Sequence, residues 1–75
     1  MSKADKREQK IRDNIKNVSL EEFEWLINKY GTLKFGGNHA MATFGNIRYS
    51  YRRQNPVRFQ YVEELLKIID KLPSE

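Results

Sequence analysis

A chain of 75 residues with 39% hydrophobic and 12% aromatic content has material for one small domain with one core, and too little for a second domain or a large enzyme pocket. The absence of cysteine removes disulfide frameworks, zinc ribbons and thiol catalysis together, and fits a reducing, cytoplasmic compartment. No apolar run approaches the roughly 18 residues of a membrane span, and the opening MSKADKREQK has no apolar h-region, so neither membrane insertion nor a signal peptide is expected.

Residues 3–14 are strong helix formers, with Ala4, Ile11 and Ile15 as the apolar side chains in and beside them. They predict a short helix with a frayed start. So few apolar anchors leave a disordered basic arm open, and residues 1–17 are read as a peripheral helix or arm of a single domain spanning 1–75. The next stretch, Val18-Ser19-Leu20-Glu21-Glu22-Phe23, is a helix start: Ser19 as N-cap, Glu22 three residues on as a capping box, Val18 and Phe23 as a staple. A helix over about 20–30 follows, with Leu20, Phe23, Ile27 and Tyr30 on its apolar face, Leu26 at the edge and Gly31 as its stop. Trp25 falls on the other side, to pack against the N-terminal segment or to meet a partner.

From residue 32 to 53 the hydrophobic period changes from helical to alternating, which predicts strands at Thr32–Phe35, Asn38–Phe44 and Ile47–Arg53. Gly36-Gly37 and Gly45-Asn46 suit two-residue primed turns. That register sets His39 opposite Arg52 on one side and opposite Lys34 on the other. Alternation puts Leu33, Phe35, Ala40, Ala42, Phe44, Ile47, Tyr49 and Tyr51 on a core face, and Lys34, His39, Met41, Thr43, Arg48, Ser50 and Arg52 on the opposite one. After Asn55-Pro56, the residues Tyr61, Val62, Leu65, Ile68, Ile69 and Leu72 mark an amphipathic helix over about 60–72 that Pro73 stops. The order α-α-β-β-β-α predicts a two-layer α+β domain, a three-stranded antiparallel meander with helices on one face and the other face open.

Net charge is +4, from 14 basic and 10 acidic residues, but it is unevenly placed. Residues 31–60 hold Lys34, Arg48, Arg52, Arg53 and Arg58 and no Asp or Glu. An acid-free basic segment interleaved with Phe and Tyr suits a polyanion-binding surface, and equally a generic cationic one. One histidine, no cysteine and no carboxylate in that segment argue against zinc, two-metal and paired-carboxylate chemistry, and no cofactor is expected. RNA cleavage fits what is left, because the 2′-hydroxyl is a built-in nucleophile that needs a base and cations around the phosphate. His39 is the candidate base. Arg52 and Lys34 are candidate phosphate ligands, with Arg48, Arg53 and Arg58 as further RNA contacts. The bland alternative is an ordinary surface histidine.

Several of these segments in order, Val18-Ser19-Leu20-Glu21-Glu22-Phe23, Tyr30-Gly31, Gly37-Asn38-His39, Asn55-Pro56-Val57-Arg58 and Tyr61-Val62-Glu63-Glu64-Leu65-Leu66, resemble the HicA family of toxin RNases. The resemblance runs over most of the chain. It implies a double-stranded-RNA-binding-domain-like fold, cleavage of mRNA, and neutralisation by a HicB-type antitoxin protein. It makes His39 the catalytic residue and Gly36, Gly37 and Asn38 its supporting loop. Asn38 stands where the family usually has Ser, and Ile15 where relatives often have Pro. The competing expectation is a non-catalytic double-stranded RNA-binding module, and a purely protein-binding role through Trp25 and the N-terminal arm comes after it.

Overall fold

Helix α1 spans Lys3–Asp13 in the structure, a computed structural model that describes residues 3–72. Two kinds of contact hold it to the domain, so it is not a free arm. Ile11 is buried in the core. The Glu8 carboxylate accepts hydrogen bonds from Lys29 Nζ at 2.8 Å, the Tyr30 hydroxyl at 2.7 Å and Arg12 Nε at 3.2 Å. Arg12 also reaches Asp70 Oδ1 at 3.0 Å, and the Arg7 guanidinium lies 4.6 Å from the Trp25 ring. Trp25 therefore packs against the N-terminal helix.

Helix α2 (Leu20–Tyr30) begins where Ser19 Oγ accepts the Glu22 N–H at 3.1 Å. The Glu22 carboxylate closes the cap on the Ser19 hydroxyl, at 3.1 Å, where a capping box would use the Ser19 backbone N–H. Phe23, Leu26 and Ile27 are its buried residues, so the apolar stripe is centred one step from the expected one. Tyr30 lies at the rim of that stripe, 38% exposed, with its hydroxyl on Glu8. Gly31 ends the helix in an extended conformation, φ −154°. Space, and not a left-handed turn, requires the glycine: a Cβ there would collide with the Thr43 carbonyl oxygen and the Phe44 ring.

Strands β1 (Thr32–Gly36), β2 (His39–Phe44) and β3 (Ile47–Arg52) form one antiparallel sheet in that order. The β2–β3 register matches the expectation, with His39 opposite Arg52. The first hairpin does not. Gly36 extends β1, the turn is Gly37-Asn38, and the residue opposite His39 is Gly36, with Lys34 opposite Met41. The cause is backbone sign: Gly37 has φ +61° and Asn38 does not have positive φ, the pattern of a II′ turn that Gly45-Asn46 repeats. A two-step slip conserves parity, so the sorting of side chains survives. Ala40, Ala42, Phe44 and Tyr51 are buried on the core face. Phe35 (59% exposed) and Ile47 (36%) depart from it, because both sit on outer strands beside a turn, flanked by one strand only.

Helix α3 (Phe59–Lys71) buries Val62, Leu65 and Ile69 in the same cluster as α2 and the sheet. Its start has no side-chain cap from Arg58, while the expected stop at Pro73 lies outside the described residues. Ahead of it, the Val57 N–H donates to the Val18 carbonyl at 2.9 Å and Asn55 Oδ1 accepts the Leu20 N–H at 3.2 Å, which stitches the β3–α3 loop to the start of α2. No helix among the described residues is long and apolar enough to cross a membrane.

Gly31→Ala is expected to destabilise the domain by about 1–3 kcal/mol, the usual range for overpacking, as read from the midpoint of urea unfolding. Burial works against ionisation of Glu8, but hydrogen bonds from Lys29, Tyr30 and Arg12 outweigh it and lower its pKa. A lowered carboxylate pKa adds stability above the unfolded value, about 4.3, that is lost as pH falls through the folded one. Between about pH 5 and pH 3 the wild type should therefore lose more stability than Glu8→Gln. Parallel slopes in denaturant titrations of the two proteins would refute this.

Candidate nucleic-acid interface

The face of the sheet turned away from the helices consists of three cross-strand rows. They are Thr32–Thr43–Arg48, Lys34–Met41–Ser50 and Gly36–His39–Arg52. All of these residues are exposed except Thr43, which is half-buried. The alternation that sends apolar side chains to the core leaves this face with Lys34, Arg48, Arg52 and His39 and no carboxylate. Among the described residues, none of these cations is in an ion pair.

His39 and Arg52 are direct cross-strand partners. The Arg53 N–H donates to the Asn38 carbonyl at 2.7 Å, which makes 38 and 53 a hydrogen-bonded pair and the next pair, 39 and 52, a non-hydrogen-bonded one. In that class side chains approach most closely, with Cα atoms about 4.5 Å apart. Lys34 stands diagonal to His39, a relation that places such residues about 7–8 Å apart. An imidazole, a guanidinium and an ammonium thus share one corner of an exposed surface. Such a corner can grip a phosphodiester from one side and hold a base near it.

The remaining predicted contacts divide. Arg48 belongs to the face, one row beyond Ser50. Arg53 points to the helix side, where Nε donates to Glu24 Oε2 at 2.8 Å and Nη2 to Glu24 Oε1 at 3.1 Å. Its charge is neutralised there, and the hydrogen bonds to Glu24 raise its pKa further. Arg58 is exposed at the cap of α3, where its carbonyl accepts the Tyr61 N–H. Neither joins His39 on the sheet. Gly36 faces His39 across the strands, and Gly37-Asn38 is the turn that starts β2.

Of the apolar side chains around this surface, one lies where the sequence put it and one does not. Met41, expected there, is 40% exposed between Lys34 and Ser50 and gives the face an apolar centre. Phe35, expected in the core, is the most exposed of the large hydrophobic side chains. Its ring is on the helix side of the sheet, opposite Ala40 and against the Arg53 guanidinium, so it borders the shallow depression of Lys34, Gly36, His39, Met41 and Ser50 without joining the open face. Its place on an outer strand next to Gly36 was the available signal. No group of three or more His, Cys, Asp or Glu among the described residues is arranged to hold a metal ion.

No protein-family model matches the chain, and neither a curated protein nor a solved structure matches it. What can be said of its chemistry rests on the residues themselves.

Gly37 has open space around its Cα, so the strain of φ +61° alone opposes a side chain there. Gly37→Ala is expected to cost about 1–2 kcal/mol of stability and to broaden or shift the His39 and Arg52 amide resonances. Gly36→Ala, with no such φ and nothing within 4 Å, serves as the matched control and should be close to neutral.

Proposed function

We propose that this chain is a metal-independent RNA endonuclease of the mRNA-cleaving toxin kind that its sequence resembles. The observation that carries the reading is the close cross-strand pairing of His39 with Arg52 on a sheet face with cations and no carboxylate. RNA lies across that face. The His39 imidazole takes the 2′-hydroxyl proton, the 2′-oxygen attacks the adjacent phosphorus, and the bond to the 5′-oxygen breaks. Arg52 binds the phosphate as negative charge builds on it, and Lys34, diagonal to His39, supplies a second cation and a proton for the leaving oxygen. Products are a 2′,3′-cyclic phosphate and a 5′-hydroxyl. In this reading a helix, a three-stranded meander and a helix, with both helices on one face, support a double-stranded-RNA-binding-domain-like fold. The reading also carries a cytoplasmic location and a HicB-type antitoxin that masks the open face.

Two features favour a binding module without turnover. The depression around His39 is shallow and open, and no hydrogen bond from a described residue orients the imidazole, whereas catalytic bases are commonly held by a third group. In that case the same cations grip phosphates by shape, with salt-dependent affinity and no product.

The test is incubation of purified protein with end-labelled single-stranded RNA in EDTA, beside His39→Ala shown to be folded by circular dichroism. Cleavage by the wild type should fall at least about 100-fold in the variant, the lower range for loss of a general base. Equal cleavage by both would remove His39 from the chemistry. RNA binding by both without cleavage would assign the binding module.

A further inference from the structure

The phase of the β2–β3 ladder decides which backbone groups of β3 face outward. Because the Arg53 N–H donates to the Asn38 carbonyl at 2.7 Å, alternation makes hydrogen-bonded pairs of Ala40 with Tyr51, Ala42 with Tyr49 and Phe44 with Ile47. The N–H and C=O groups of Arg48, Ser50 and Arg52 therefore point away from β2. As β3 is an outer strand, no described residue supplies these groups with a partner on that side. The same three residues have exposed side chains on the open face. Bare backbone and two arginines four positions apart thus belong to one edge, along a strand with an unbroken register and no proline. At β1 the two features do not coincide. Its outward groups are those of Leu33 and Phe35, whose side chains lie on the helix side with Ala42 and Ala40.

We propose that the outer edge of β3 receives an extended segment of a protein partner as a fourth, antiparallel strand, one that carries a carboxylate opposite Arg48 and another opposite Arg52. Main-chain pairing with the outward groups of Arg48, Ser50 and Arg52 supplies affinity. Residues opposite those three turn their own side chains to the open face, directly across from them. Two Asp or Glu residues four positions apart, with a small polar residue midway opposite Ser50, complement the two guanidiniums. The residues between them fall on the helix side, next to half-buried Tyr49 and exposed Ile47, and are apolar. Carbonyls alternate with N–H groups along this edge, which suits a peptide and repels a phosphate backbone. The charge also excludes another common occupant of a bare edge, a second copy of this chain. In a two-fold antiparallel pairing centred on Ser50, each Arg48 would stand opposite the other copy's Arg52, and like charges so placed repel. The edge site goes beyond the RNA reading and does not need it. Where both hold, a carboxylate on Arg52 displaces the phosphate, and the added strand regulates the face.

The test uses the full chain and the end-capped peptide Thr-Glu-Val-Thr-Val-Glu-Thr, about the length of an ordinary strand. Two control peptides accompany it, one with Lys in place of both Glu and one N-methylated at both Glu residues. Titration runs to about 1 mM peptide, with amide hydrogen exchange followed residue by residue in NMR spectra. In the free protein the Arg48, Ser50 and Arg52 amides should exchange fast and those of Tyr49 and Tyr51 slowly. The Glu peptide should slow the first three about tenfold or more. The Lys peptide should bind about tenfold more weakly, and the N-methylated one should lose the protection because it lacks the paired donors. Arg48→Ala and Arg52→Ala, each checked for fold by circular dichroism, should weaken the Glu peptide about threefold apiece. No added protection at Arg48, Ser50 and Arg52 overturns the proposal. Equal binding of the N-methylated peptide also overturns it, by moving the contact to the face, and equal binding of the Lys peptide removes the charge rule. Edge amides already protected in the free protein and released on dilution would assign the edge to a second copy instead. Failure of the endonuclease reading is distinguishable: a wild type that never cleaves RNA, yet gains this protection, keeps the edge site and loses the enzyme.

Discussion

Both hairpins of the sheet close through a Gly-Asn pair in which the glycine, Gly37 or Gly45, carries a φ of +61°. A left-handed residue at the first turn position holds each loop at two residues, and an even loop fixes which side chains share a face. Everything that concerns function depends on this parity. A loop one residue longer at either hairpin would turn one outer strand over and carry Lys34, or Arg48 and Arg52, toward the helices. The tyrosines Tyr49 and Tyr51 would face water in exchange. The core therefore enforces the placement of the cations: burying Ala40, Ala42, Phe44 and Tyr51 leaves His39, Arg48 and Arg52 no other side to occupy.

Glu24 connects that core to the surface. Tyr51 packs edge-on against Phe23 with ring centroids 4.8 Å apart, and its hydroxyl must find a partner because its ring is buried. Burial first, and the bond to Glu24 second, push the Tyr51 hydroxyl well above its usual pKa, so it remains a donor at any physiological pH. The same carboxylate then orders Arg53. Tyr49 shows the alternative: its hydroxyl is buried without a hydrogen-bond partner among the described residues, and burial raises its pKa as well. One tyrosine thus spends its polar end on an organised contact and its neighbour on none. The exposed ring of Phe35 lies on the organised side.

What the sequence made legible follows from how local each determinant is. Capping by Ser19, the helical spacing of Phe23 and Ile27, and the Gly45-Asn46 turn are decided within a few residues, and each was read with its element. The first turn was ambiguous because three consecutive residues, Gly36, Gly37 and Asn38, all tolerate turn geometry. Choosing among them needs the positive φ that the sequence does not display. Phe35 and Ile47 satisfy the alternation of core residues, but alternation says which face a side chain takes and not whether a helix reaches it. Arg53 counted toward the basic segment because its partner, Glu24, lies 29 positions away in the chain. For α1 the sequence showed too few apolar anchors, since polar contacts from Glu8 and Arg12 to α2 and α3 supply much of what fixes it.

Those polar contacts also explain where the net charge resides. On the helix side, cations stand against carboxylates: Lys10 with Glu22, Arg12 with Glu8 and Asp70, Lys29 with Glu8, Arg53 with Glu24. Exposed pairs of this kind contribute little to stability, commonly below about 1 kcal/mol. Their effect on the field is larger than their effect on the fold. By neutralising the helix layer they leave Lys34, Arg48 and Arg52 as an uncompensated group on the bare face of the sheet. A modest total of +4 is then concentrated on one face, the arrangement that would orient a polyanion toward the strand that carries His39. The separation of paired from unpaired charge is the property on which the proposed RNA reading stands, with or without turnover at the histidine.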